Sequence, residues 1–208
     1  MVMTADELGE AFEELGTLAR EAGKVIDIAV YGGSCLMIAS NFRVSTADVD
    51  AVAVSDQAFL DEAAKRVAEH RGWARDWLSD GVRTYLSPNA NWPAHHELLR
   101  AYPGEGEPGL RVFVPSAEYM LAMKLMAMRI DPTAGAKDLE DILNLMEIVG
   151  IRSRKEVVGF AASFYPEARI SGRLALALDE LWRARDKWRR GKRGHEAPRY
   201  LGRSGPAR

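Results

Sequence analysis

The chain alternates between two hydrophobic periods. Over residues 4–22, Leu8, Phe12, Leu15, Leu18 and Ala19 recur at helical spacing, and Thr4 with Glu7 three residues on forms a capping box. Residues 25–30 (Val-Ile-Asp-Ile-Ala-Val) read as a short strand that Gly32-Gly33 breaks, with a short helix over 34–40 behind the turn. Residues 49–54 are nearly continuously apolar, as expected of a strand buried on both faces. Ser55 is the expected cap of a helix reaching His70, and Gly72 its stop. The stretch 73–108 holds Trp73, Trp77 and Trp92 among turn formers and predicts only a short strand near 83–86; another follows at 110–114. From Ser116 onward the period is helical, with helices over 116–129, 136–149 (Gly150 as stop), 153–164 and 171–188. No internal repeat is present. The pattern predicts an α/β (α+β) protein with a small mixed sheet over 1–115, a helical part over 116–190 packed on it, and a basic, disordered tail over 191–208.

Composition narrows the class. An apolar fraction of 47% in 208 residues is ample for a core, and no run nears the roughly eighteen apolar residues of a membrane span. The acidic N-terminal stretch (Glu7, Glu10, Glu13, Glu14) has the wrong charge for a targeting peptide. The single cysteine, Cys35, excludes an intrachain disulfide and a cysteine zinc cluster, and reads as a small buried hydrophobe. A cytoplasmic protein is expected, with no membrane partner. The net charge of −2 hides an asymmetry: residues 181–208 hold ten Lys/Arg against two acids, a balance of +8, leaving about −10 for the rest. Such a tail either holds nucleic acid or is a solvated extension, and both readings stay open.

The chemistry concentrates in two short runs, Tyr31-Gly32-Gly33-Ser34 and Asp48-Val49-Asp50. Along a strand, side chains two apart share a face, so Asp48 and Asp50 point the same way. Like charges held together call for a cation, and Mg²⁺ (or Mn²⁺) suits carboxylates while keeping positions for phosphate oxygens. The Gly-Gly turn permits close backbone approach, and the helix behind it offers free N–H groups to an anion. A Gly-Gly turn with a chance Asp-x-Asp is the competing reading. Ser34 is expected at that helix N-terminus facing the carboxylates. Arg43, Ser45 and Thr46 flank the acids and either touch phosphate or cap the strand. His95-His96 lack a third ligand at metal spacing, so an exposed pair is expected. The tryptophans read as core, and Asp141 as a cap or ion-pair residue.

The ordered set of turn, carboxylate pair, Arg43-Val44-Ser45-Thr46, Met123-Lys124-Leu125-Met126-Ala127-Met128-Arg129 and Lys137-Asp138-Leu139-Glu140-Asp141 resembles the nucleotidyltransferase superfamily. It is most similar to small prokaryotic members related to abortive-infection and toxin–antitoxin enzymes. The resemblance covers about residues 25–151. It implies transfer of NMP from an NTP to a macromolecular acceptor, tRNA or protein, in a toxin–antitoxin or phage-defence setting with a cognate partner. Carried over residue by residue, it implies Asp48 and Asp50 as metal ligands and catalytic groups, with Lys124 and Asp138 completing the catalytic set. Gly32, Gly33, Ser34, Arg43, Thr46 and Arg129 would then bind nucleotide. The family's usual third acid on a late strand has no counterpart in 110–114, which keeps open a degenerate binding module or antitoxin. A small-molecule, antibiotic-type transferase is the other alternative. Ordinary surface ion pairing is the competing reading of Lys124, Arg129, Lys137 and Asp138.

Overall fold

The computed structural model describes residues 2–90, 92, 94–104, 106–128, 136–170, 172–191 and 196–201. Among them it shows five strands and seven α-helices, in two compact units: Met1–Thr84 with His96–Pro115, and Tyr85–His95 with Ser116–Arg208.

The first unit is built on a five-stranded mixed sheet. Its strands are β1 (Ile26–Tyr31), β2 (Val49–Ala53), β3 (Leu78–Ser79), β4 (His96–Tyr102) and β5 (Leu110–Pro115), ordered β3-β2-β1-β5-β4. β1 runs parallel to β5 and antiparallel to β2, so its Ile28, Ala29 and Val30 are buried on both faces, as the continuous apolar run requires. Helix α1 (Ala5–Glu21) starts at the expected capping box: Thr4 Oγ1 accepts from the Glu7 amide and the Glu7 carboxylate accepts from the Thr4 amide. Its Leu8, Phe12, Leu15 and Ala19 are fully buried. At Gly16 a Cβ atom would lie 2.6 Å from the Tyr102 carbonyl oxygen, so only a glycine lets this helix meet the end of β4. Helix α2 (Gly32–Ala39) follows β1 without a linker, and α3 (Gln57–Arg71) covers β2 and β3. Arg71 ties α3 to α1 by reaching both Glu10 and Glu14.

The second unit is helical: α4 (Ala117–Ala127), α5 (Ala136–Val149), α6 (Arg154–Phe164) and α7 (Gly172–Gly191). Helix α4 packs on α5 and α6, and α5 on α7. Tyr119 and Phe164 stack at 5.7 Å, and the Tyr119 hydroxyl accepts from the Ser87 amide, pinning residues 85–95 to this unit. The capping box of α6 (Ser153, Glu156) and the stop at Gly150 are both present.

Several elements differ from expectation for local reasons. Helix α3 is capped by Asp56, not Ser55: the Asp56 carboxylate accepts from the Phe59 amide, at a left-handed backbone that Asp tolerates. The strand expected at 83–86 is a 3₁₀ turn, Gly81–Tyr85, because the Arg83 amide and guanidinium both bond back to Asp80. Strand β4 was not expected, since an edge strand with only one end fully buried carries little apolar alternation. Helix α2 starts at Gly32 itself, and α4 spans Ala117–Ala127 rather than 116–129.

Gly16→Ala should destabilise the protein by about 1–3 kcal/mol, because the clashing partner is backbone that cannot swing away. Urea denaturation should show a lower midpoint at unchanged m-value.

Candidate functional site

The first turn of α2 gathers the residues that the sequence singled out in the sheet unit. β1 and β2 are registered so that Tyr31 lies opposite Asp50, one residue before the turn. The Asp50 carboxylate then folds over Gly32: a Cβ there would sit 2.4 Å from Asp50 Oδ2. Gly32 also has a φ of +63°, a second reason for glycine. Over the next residue, a Cβ at Gly33 would lie 3.1 Å from an Arg43 guanidinium nitrogen and 3.3 Å from Thr46 Oγ1. Asp50, Arg43 and Thr46 thus converge on two successive glycines at a helix N-terminus.

Thr46 is buried and further fixed, its hydroxyl donating to the Asp48 carbonyl at 2.9 Å while its backbone bridges to Met3. Asp48 is exposed one residue ahead of β2, and Asp50 is half-buried within it. Ser34 is at the helix N-terminus as expected, but it is 1% exposed and its hydroxyl donates to the Tyr31 carbonyl at 2.9 Å. Its donor is therefore used within the turn, leaving the backbone amides as the outward donors. Cys35 is fully buried beneath it.

Among the described residues no group of three or more His, Cys, Asp or Glu side chains could hold a metal. Two carboxylates are nonetheless a fitting donor set for Mg²⁺, which binds through one or two carboxylates and fills its sphere with water and substrate phosphates. The glycine that clears space over Asp50 Oδ2 supports the fit, because a side chain there would occlude that oxygen.

A second cluster lies in the helical unit. Lys124 of α4 donates to Asp138 Oδ1 and Asp141 Oδ2, each at 2.9 Å, from α5. The lysine side chain is 11% exposed and that of Asp141 only 4%, so this is no surface ion pair. The pairing of Lys124 with Asp138 was expected. Asp141, expected as a cap or ion-pair residue, makes the ion pair; its near-complete burial was not expected. Arg129 lies outside the described residues.

The histidines correct an expectation. They are not an exposed pair: both are half-buried, and each ring packs within its own unit. His95 packs against Tyr119 and Phe164 at 5.8 and 5.4 Å, whereas His96 shares a 2.8 Å hydrogen bond with the Tyr31 hydroxyl. Continuing the β1–β5 register by two residues sets Tyr31 beside Pro115, whose partner on β4 is His96. Asp50, Tyr31, Pro115 and His96 therefore form one row on one face, and Glu97 alternates to the other. His96 lies three strand spacings from Asp50, roughly 14 Å at ~4.8 Å each, too far to share one phosphate. It anchors the edge strand. Trp77 is 2% exposed with its indole donating to the Ala64 carbonyl, the expected core role.

No family model matches the chain, and no curated protein sequence matches it. Among solved structures, the chain is similar to an antigenic nucleotidyltransferase-like protein from Paracoccidioides brasiliensis, at 15% identity and a TM-score of 0.45. The superposition covers 91% of this chain and 94% of that one. The functional reading below rests on the chain's own residues.

Lys124→Met should cost about 3–5 kcal/mol by leaving the buried Asp141 carboxylate without its cation. Lys124→Met combined with Asp141→Leu should recover most of that loss, as measured by chemical denaturation of the four members of the cycle. Additive losses would mean that the two side chains are not coupled.

Proposed function

We propose that the chain is a Mg²⁺-dependent nucleotidyltransferase that moves NMP from an NTP to a macromolecular acceptor. The observation that carries this reading is the convergence of Asp50, Arg43 and Thr46 on Gly32 and Gly33 at the first turn of α2. Backbone amides at a helix N-terminus and a guanidinium recognise phosphate, and a carboxylate beside them recognises the metal that accompanies it.

In the reaction, an acceptor hydroxyl oxygen forms a bond to the α-phosphorus and gives up its proton to solvent, the bond from the α-phosphorus to the bridging oxygen of the β-phosphate breaks, and pyrophosphate leaves with the electron pair. Asp48 and Asp50 would hold the metal, which supplies charge neutralisation at the phosphate oxygens when bound. Arg43 and the amides of Gly32, Gly33 and Ser34 orient the β- and γ-phosphates, and Thr46 holds the Asp48 backbone in place. Lys124 is assigned a supporting cationic role: two of its three N–H donors go to Asp138 and Asp141, which fix the ammonium. The sequence resemblance suggests a toxin–antitoxin or phage-defence setting in the cytoplasm, with a cognate partner. No described helix is long and apolar enough to cross a membrane.

One observation favours a second reading. β5 (Leu110–Pro115) carries no acid, and the half-buried Glu97 of β4 faces away from Asp50, so the third carboxylate of such sites has no counterpart on that face. A degenerate binding module would show this pattern.

Incubation with each labelled NTP, Mg²⁺, tRNA and lysate protein separates the readings. Label in RNA or protein is the expected result, in a small product it indicates the antibiotic-type alternative, and nowhere the binding module. Asp50→Asn should lower transfer at least about a thousandfold while leaving the circular dichroism spectrum intact, since several kcal/mol of charge stabilisation are lost at 1.4 kcal/mol per tenfold. Chelation of the metal should do the same. An Asp50→Asn protein as active as the wild type would sink the mechanism.

A further inference from the structure

The helical unit contains a cavity of about 550 Å³ that the transferase reading does not use, between α5, the end of α7 and residues 196–198. Three arginines line it, Arg152, Arg185 and Arg189, together with Trp188, Glu147 and Glu196. Leu143 and Met146 close it on the inside and are buried.

Of the three, Arg185 is held in place rather than trailing in solvent, while Arg152 and Arg189 are exposed. Arg185 is half-buried, donates to the Arg152 carbonyl at 2.6 Å and lies over the Trp182 ring at 5.2 Å, with Arg154 also over that ring at 5.7 Å. Burial first, and then the nearby Arg189 cation, hold the Arg185 guanidinium below its ordinary pKa, against the opposing pull of Asp186 and Glu156. Arg185 is thus a partly buried cation with a second cation, Arg189, beside it, an arrangement that an anion between them would favour.

We propose that this cavity binds one nucleotide unit of a single-stranded RNA, with the phosphodiester on Arg185 and Arg189 and the base against Trp188. Three features select that ligand. A planar guanidinium matches a phosphate bidentately, and an indole beside it offers a stacking face, the pairing by which unpaired bases and their backbone are held. Arg152, Arg185 and Arg189 outnumber the lining carboxylates Glu147 and Glu196, and Glu196 is ion-paired to Arg199, so the lining is net positive, as a phosphodiester requires. The Glu147 carboxylate is an acceptor for a ribose 2′-hydroxyl, the group that distinguishes RNA from DNA. Beyond the cavity, α7 carries Arg183, Lys187 and Arg190, exposed or half-exposed cations along which a strand could continue. The proposal deepens the transferase reading by naming RNA as the acceptor class, and rests on that reading only for that role.

The test is fluorescence anisotropy of the full chain with a labelled twelve-nucleotide single-stranded RNA, without NTP or divalent metal, so its outcome does not depend on transferase activity. Arg185→Gln with Arg189→Gln should weaken binding about tenfold or more. It should also flatten the slope of log K against log salt by about 0.7, the value for the one phosphate the two arginines share. Because Arg185→Gln also removes a bond to the Arg152 carbonyl, Arg189→Gln alone at its exposed position should weaken binding and flatten the slope by a part of that amount, with an unchanged near-ultraviolet spectrum. Trp188→Leu should weaken binding without changing the slope, and Trp188→Phe should restore most of it. Arg66→Gln, on α3, should match the wild type. Unchanged affinity and slope in both arginine variants would overturn the proposal. So would a free NTP displacing the RNA at concentrations as low as unlabelled RNA does, or DNA of the same sequence binding equally well. RNA binding that follows this pattern without any nucleotidyl transfer would leave the site standing and remove the transferase reading alone.

Discussion

The pairing of β1 with β2, which sets Tyr31 opposite Asp50, is the constraint on which the candidate site depends. β1 ends at Tyr31 and α2 begins at the next residue, so whatever lies opposite Tyr31 is carried to the first turn of α2. A slip of one residue would send Asp50 to the other face and replace it by Val49 or Ala51. The register is secured by burial: Val49 and Ala51 are fully inside, so a slipped strand would drive the Asp50 charge into the face they fill. Core packing of aliphatic side chains thereby fixes the position of a single carboxylate. Gly32 completes the arrangement, because any side chain there would collide with Asp50 Oδ2 while occupying a strained backbone conformation.

That geometry also revises the energetic view of the acid pair. Read from sequence, Asp48 and Asp50 are two like charges whose removal should relieve repulsion. In the fold Asp50 lies at the N-terminus of α2, where free amides and the helix dipole favour negative charge, whereas Asp48 is exposed to solvent that screens it. The Asp50 charge therefore has compensation even without a metal. Its substitution should bring little gain in stability.

How much was legible follows from where the information sits. The capping boxes at Thr4 and Ser153, the apolar strands and the helical half were readable because each is encoded by spacing within a few residues. The Gly-Gly turn and the acids were readable as residue types, whereas the meeting of Arg43 and Thr46 over Gly33 is a tertiary fact that spacing does not contain. Strand β4 was not legible, since its place is set by pairing to β5, and its exposed Leu98 and Arg100 give no period-two signal. His95 and His96 were misread for the same reason: with β4 missing, nothing indicated that each ring would pack within its own unit. Asp141 was undervalued because its burial comes from the packing of α5 on α4, a tertiary fact that helical spacing does not contain.

The chain uses its cations in two physically different ways. Lys124 is enclosed by Asp138 and Asp141, so its charge is neutralised locally and its position is fixed at the expense of reach. Arg185 is fixed too, but by a carbonyl and an aromatic face, neither of which cancels its charge. Local neutralisation suits a group that must hold two helices in one arrangement, because removing either partner leaves a buried charge. Retained charge suits recognition, because the field of the uncancelled guanidinium extends to a ligand that has not yet arrived. By that criterion the α4–α5 cluster is built first for the integrity of the helical unit, and the end of α7 for contact with an anion.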